Sequence, residues 1–150
     1  MIELGICPVI FTLDTFVKHY VDKNFPFDRK EYLFGKRIFV HKYYNKGAAL
    51  NFLADSPKVM GGIHAGVFAV IAGSYLLLFR EKGNVGLKVS MGMLAGGGAS
   101  NLYDRVKKGH VVDYFSFVTP WKRLNQVVFN ISDLFIFAGA ALACIFGGRK

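Results

Sequence analysis

The chain has 150 residues, the size of a single domain. Of these, 53% are hydrophobic and 15 are Phe, with a mean hydropathy of +0.33. That is more apolar surface than a soluble domain of this length can hide, which excludes an ordinary soluble globule and fits a small integral membrane protein. The net charge of +9 comes without an aromatic-interleaved basic motif or nucleic-acid fold signature. It speaks against a nucleic-acid partner and reads as loops lying against anionic lipid headgroups.

Four apolar segments follow in chain order, each to be measured against the roughly 20 residues that span a bilayer. The first, about residues 2–21, contains Glu3, Asp14, Lys18 and His19. It reads as a span rather than a cleaved signal peptide, because it lacks a basic start and its apolar core ends in Asp14 and Lys18 instead of small residues. A polar segment, 22–58, comes next. Within it "KRIFVHKYYN" (36–45) alternates like a strand and is rich in β-branched and aromatic residues. Gly35 is placed to turn a hairpin, and a small β-element is expected over about 31–50 at the membrane surface.

The second apolar segment, about 59–79, has only His64 and Ser74 as polar side chains. The third, about 87–103, carries Gly92, Gly96, Gly97 and Gly98; Gly92 and Gly96 are spaced for close helix approach in lipid. A connection, 104–126, mixes charges with aromatics, and its Trp121 suits a membrane interface. The fourth, about 127–146, opens as "VFNISDLFIF". Cys7 and Cys144 both lie in apolar runs and read as buried packing thiols, not as a disulfide, metal ligands or nucleophiles. No metal or cofactor is expected. The fold class is therefore mainly α: one domain over 1–150, a four-span helix bundle with a small β-element between helices one and two.

Charge alone gives an orientation. The connections 22–58 and 104–126 hold eight and five Lys/Arg, against five on the other side (Arg80, Lys82, Lys88, Arg149, Lys150). A positive-inside count would put both connections in the cytoplasm.

Ionisable residues inside spans are functional candidates. Asp14, Asp113 and Asp133 lie in or at the edge of spans. Two aspartates that meet in a low-dielectric site cannot both ionise easily, so they share a proton. Such a pair can hydrolyse a peptide bond without a metal: the carboxylate activates water and the carboxylic acid protonates the carbonyl oxygen. The plainer alternative is that each Asp pairs with a nearby Lys or Arg. Asn101 and Arg105 share a helix face if the third helix continues, and Asn130 and Asp133 are three apart on the fourth. Asn45 opens "NKGAAL" (45–50), where Gly47 permits close backbone approach. Other classes also stand open: a membrane carrier using Asp14 and Asp133, or a protein that binds without cutting.

Four stretches carry a resemblance: "DTFVK" (14–18), "NKGAAL" (45–50), "GGGASNLYDRVKKGHVVDYF" (96–115) and "FNISD" (129–133). Across nearly the whole chain they resemble the lipoprotein signal peptidases (signal peptidase II), the membrane aspartic proteases of bacteria. The resemblance implies a catalytic pair at Asp113 and Asp133. It implies substrate-holding or pair-supporting roles for Asn45, Gly47, Asn101, Arg105 and Asn130, and a structural or gating role for Asp14, Lys18 and Asp104.

The resemblance further implies four transmembrane helices, an extracytoplasmic β-cradle and cytoplasmic termini in the bacterial inner membrane. That orientation is opposite to the charge count. The active site would lie near the extracytoplasmic surface of a monomer. The implied partners are lipid-modified prolipoproteins and membrane lipids, with no cofactor, and the implied reaction is cleavage before the diacylglyceryl-modified cysteine. Ser100 and Ser132 depart from the family's usual glycine and alanine. Ser132 adds a hydroxyl expected to bear on the acidity of Asp133.

Overall fold

The computed structural model describes residues 2–48, 53–121 and 123–148. Among them the order is α1 (Ile2–Asn24), β1 (Glu31–Leu33), β2 (Ile38–Asn45), α2 (Pro57–Leu78), α3 (Val85–Lys108), β3 (Val111–Phe117), a short 3-10 turn (Leu124–Gln126) and α4 (Ile131–Phe146).

Helix α3 is the centre of the bundle and packs against α1, α2 and α4. Its glycines explain how. A Cβ on Gly96 would lie 2.8 Å from the Cys7 carbonyl oxygen of α1, and one on Gly97 would lie 2.7 Å from the Ser132 carbonyl oxygen of α4. Both contacts are with backbone, so only glycine permits these approaches. The outer faces of the other helices are apolar and exposed: Val9, Leu13 and Phe16 on α1, Val67, Val70 and Leu76 on α2, Phe137 and Ile145 on α4. Such a belt has no place in water and matches a lipid-facing surface. By length and composition, Glu3–Asn24 and Pro57–Leu78 are long and apolar enough to cross a bilayer.

The sheet is antiparallel, in the order β1-β2-β3. Gly35, at φ +64°, turns the β1–β2 hairpin as its sequence position indicates. On β2, Tyr43 faces Asp113 and Asn45 faces Val111, past an irregularity between Val40 and Tyr43. One cluster ties sheet to bundle: Val21 and Phe25 at the end of α1 pack with Tyr114 and Phe115 of β3.

Several boundaries correct the sequence reading. The β-element is not confined to the stretch between helices one and two, because β3 comes from the connection before α4. Its residues are buried on both faces from Val111 to Ser116, so they show no alternation of polar and apolar positions. Strand β2 ends at Asn45, and Ala49 and Leu50 fall outside the described residues. The third helix runs five residues past its expected end, through Asp104, Arg105, Lys107 and Lys108. The fourth starts at Ile131 rather than 127, because Phe129 is still extended and bridged to Phe115. Cys144 is exposed on the outer face of α4, not a buried packing thiol, and Cys7 is half-buried.

Candidate active site

The sequence Asn-Ile-Ser-Asp is a helix start. Asn130 is the N-cap of α4: its Oδ1 accepts from the Asp133 backbone N–H, and Asp133 Oδ2 accepts from the Asn130 N–H, each at 3.0 Å. This reciprocal box meets two backbone donors that a helix start otherwise leaves unpaired. Asn130 therefore does not share a helical face with Asp133, as its spacing indicated; it precedes the helix and caps it. Its remaining group, Nδ2, is free to reach outward. It donates to Asp113 Oδ1 at 2.7 Å and to Asn101 Oδ1 at 3.1 Å.

One residue thus touches both aspartates, Asp133 through its backbone and Asp113 through its side chain. The second oxygen of each carboxyl is also bound. Asn45 Nδ2 donates to Asp113 Oδ2 at 2.9 Å, and Asn101 Nδ2 donates to Asp133 Oδ1 at 3.0 Å. Three carboxamides hold two carboxyls at the junction of sheet and bundle. Asn45 is fixed in turn by the Gly47 N–H, which donates to its Oδ1 at 3.0 Å. Arg105 donates to the Gly47 carbonyl at 2.5 Å, pinning this loop to α3.

These groups line one cavity of about 370 Å³, open on one side, whose walls carry Asn45, Asn101, Arg105, Asp113, Asn130 and Asp133 among apolar residues such as Ile63, Val67 and Phe137. Asn101 and Arg105 do share one face of α3, which continues far enough to present both. Arg105 lines the cavity, and its Nε is buried with no hydrogen-bond partner among the described residues, a donor available to a substrate carbonyl. Burial first, and the charge of Asp133 second, push the Asp113 carboxyl well above the ordinary carboxylate range. The donors from Asn45 and Asn130 oppose that rise. A paired, desolvated carboxyl of this kind holds a proton near neutral pH and can act as a general acid.

Asp14, Lys18 and Asp104 lie behind the cavity. Asp14 and Lys18 form a buried ion pair at 2.7 Å, one turn apart on α1. Lys18 Nζ also donates to Asn101 Oδ1 at 2.6 Å. Asp104 accepts from the Val112 N–H at 3.1 Å and pairs with Lys108 at 3.1 Å, joining α3 to β3. Sequence reasoning missed two residues of the site. His64 of α2 lines the cavity; the signal was available, since it is one of only two polar side chains in the second apolar segment. Tyr114 accepts from the Ile131 N–H at 2.9 Å and donates to Asp14 at 3.0 Å; a tyrosine beside Asp113 gave no such sign.

The sequence model of the family described as Signal peptidase (SPase) II matches residues 6–147. The chain belongs to the signal peptidase II family. The lipoprotein signal peptidase of Aeromonas hydrophila is 34% identical over 153 residues, covering 98% of this chain and 88% of that one. That of Vibrio parahaemolyticus is 34% identical over 158 residues, with the same shares. Two solved structures, both described as a bacterial membrane enzyme determined by the in meso method, share the fold. One has a TM-score of 0.81 at 20% identity over 95% of this chain and 85% of its own. The other has 0.80 at 21% identity over 99% and 93%. Membership of signal peptidase II makes the chain a peptidase, and the cavity at the sheet–bundle junction is where its polar side chains converge.

Proposed function

We propose that the chain is an aspartic endopeptidase that removes the signal peptide from diacylglyceryl-modified prolipoproteins, with Asp113 and Asp133 as its reacting pair. The observation that carries this is Asn130, which bonds to both carboxyls and so holds them on one cavity. Four helices spanning the bacterial inner membrane, with the sheet on the extracytoplasmic side, form a single monomeric domain in this reading. The exposed apolar belt on α1, α2 and α4 supports it. So does a cavity that adjoins the sheet, where water, lipid and a peptide emerging from the bilayer can meet.

Burial and the neighbouring charge of Asp133, which together raise the Asp113 carboxyl, favour Asp113 as the proton holder and Asp133 as the base. Asp133, ionised, takes a proton from water as the oxygen attacks the scissile carbonyl. Asp113 gives its proton to the carbonyl oxygen, producing a tetrahedral diol. The diol collapses as Asp133 gives its proton to the leaving amine, which belongs to the lipid-modified cysteine, and Asp113 takes one back from a diol hydroxyl, restoring the pair. The signal peptide departs with the new carboxyl end. Asn45, Asn101 and Asn130 keep the two carboxyls in place throughout, and Arg105 Nε offers a donor to the substrate backbone.

Asp113→Asn and Asp133→Asn, made separately, are each expected to abolish cleavage of a lipid-modified prolipoprotein while the protein still folds and melts cooperatively in detergent. Retained cleavage in either variant overturns the assignment.

A further inference from the structure

Two buried serines on different helices meet at one atom. Ser100 lies on α3 and Ser132 on α4. Ser100 Oγ donates to Asp14 Oδ2 at 2.7 Å, and Ser132 Oγ donates to the same oxygen at 2.5 Å. Lys18 Nζ is a third donor to that oxygen, and Tyr114 donates to Oδ1. A single carboxylate thus takes four donors from α1, α3, β3 and α4, all of them buried.

None of Asp14, Lys18, Ser100 and Ser132 lines the cavity. Tyr114 joins Asp14 to the start of α4, and among the described residues the one direct bond from this group to a carboxamide of the aspartate pair is that of Lys18 to Asn101. Lys18 spends its three N–H donors on Asp14 Oδ2, Ser100 Oγ at 3.1 Å and Asn101 Oδ1 at 2.6 Å. Ser100 therefore bridges, accepting from Lys18 and donating to Asp14. An ammonium can only donate, so the Asn101 amide must turn its oxygen toward Lys18. That turns its Nδ2 toward Asp133 Oδ1. A flipped amide would set N–H against ammonium on one side and oxygen against carboxylate on the other.

We propose that Ser100 and Ser132 are positioning residues for the aspartate pair: by caging Asp14 they hold Lys18 where it locks the Asn101 amide onto Asp133. This rests on the reading of Asp113 and Asp133 as the reacting pair. Without one hydroxyl, Asp14 is a donor short in a buried site, and Lys18 is drawn toward it and away from Asn101. The Asn101 amide loses its lock. The loss falls on turnover, because neither serine hydroxyl bonds a residue that lines the cavity.

The test uses the full-length protein in detergent with a synthetic fluorogenic lipopeptide bearing a diacylglyceryl cysteine. Ser100→Ala, Ser132→Ala and the double variant are compared, with Asp113→Asn alongside. Each single variant is expected to lower kcat about three- to tenfold with KM nearly constant. The double variant is expected to lose little more than the worse single, because both hydroxyls act on one oxygen. Unchanged kcat in both singles, a rise in KM at constant kcat, or losses that multiply in the double variant would each overturn the proposal. If Ser132→Ala does not fold, Ser100→Ala decides alone by the same kcat and KM criteria. Cleavage by Asp113→Asn would remove the underlying reading; a dead Asp113→Asn beside fully active serine variants removes only the cage.

Discussion

Asn130 serves two purposes that substitution can separate. As N-cap it accepts from the Asp133 N–H, and through Nδ2 it donates to Asp113. Serine keeps the first function, since its hydroxyl caps helices as well as asparagine does, but it has no carboxamide to reach Asp113. Alanine loses both. Removing a cap costs about 1 kcal/mol of stability. Asp113 becomes a carboxylate as it gives up its proton, and removing a hydrogen bond to that developing charge costs roughly 1.5–3 kcal/mol of transition-state stabilisation, about one to two powers of ten in rate.

Asn130→Ser is therefore expected to melt close to the parent protein, yet to cleave a lipopeptide about 10- to 100-fold more slowly. Asn130→Ala is expected to be as slow and also less stable. A pH profile adds an independent sign. The Asn130 donor favours the ionised form of Asp113 and opposes the upward push of burial. Without it the Asp113 carboxyl rises further, so an acid role for Asp113 moves the alkaline limb of the profile to higher pH. If Asn130→Ser cleaves at the parent rate with an unmoved limb, the side chain is only a cap, and its contact with Asp113 plays no part in the reaction.

Three further outcomes follow from the geometry. Gly97→Ala puts a Cβ 2.7 Å from the Ser132 carbonyl oxygen and should destabilise by about 1–3 kcal/mol in detergent melts, whereas Gly66→Ala, with nothing within 4 Å, should be near neutral. The raised Asp113 carboxyl opposes folding once pH rises above its unfolded value, and does so fully above its folded value. The melting temperature of Asp113→Asn should therefore gain on the parent between about pH 4 and about pH 8. In the proposed orientation, Lys36→Cys at the hairpin turn, in a chain with Cys7 and Cys144 replaced, should react with a membrane-impermeant maleimide on spheroplasts before lysis. Labelling only after lysis would invert the topology.

The bundle was largely legible because apolar length is what a bilayer selects. Its limits show what hydropathy measures. The third helix was read as ending at 103 because Asp104, Arg105, Lys107 and Lys108 are polar, yet they are helical, with Arg105 on the cavity and Asp104 and Lys108 paired behind it. Hydropathy marks where lipid ends, not where a helix does. Strand β3 was illegible for the opposite reason: a strand buried on both faces has no alternation to detect. The Asn130 cap was legible, since Asn three residues before an acidic residue at an apolar run is a helix-start pattern, but it was read as two positions on one face. Ser132 was read as a neighbour of Asp133 because the two adjoin in sequence. Successive helical residues point about 100° apart, so its hydroxyl faces α1 and meets Asp14 instead.

The charge count and the proposed orientation disagree, and the fold offers a reason to weigh the count lightly. The positive-inside rule weighs Lys and Arg in short, free loops, and long or folded segments translocate largely regardless of charge. The connection 22–58 is not a free loop: it holds two strands of a sheet completed by β3. Several of the counted cations are taken up by that structure. Lys42 donates to the Asp22 carbonyl and lies 4.6 Å from the Phe27 ring centroid, Arg29 pairs with Glu31, and Lys108 bridges Asp22 and Asp104. Arg105 belongs to the cavity. Lys42 ties the sheet to α1, Lys108 ties α3 to α1, and the sheet carries Asn45 and Asp113. In the proposed orientation, basic residues engaged in this way belong to the folded site and weigh less in a count of free loop charge.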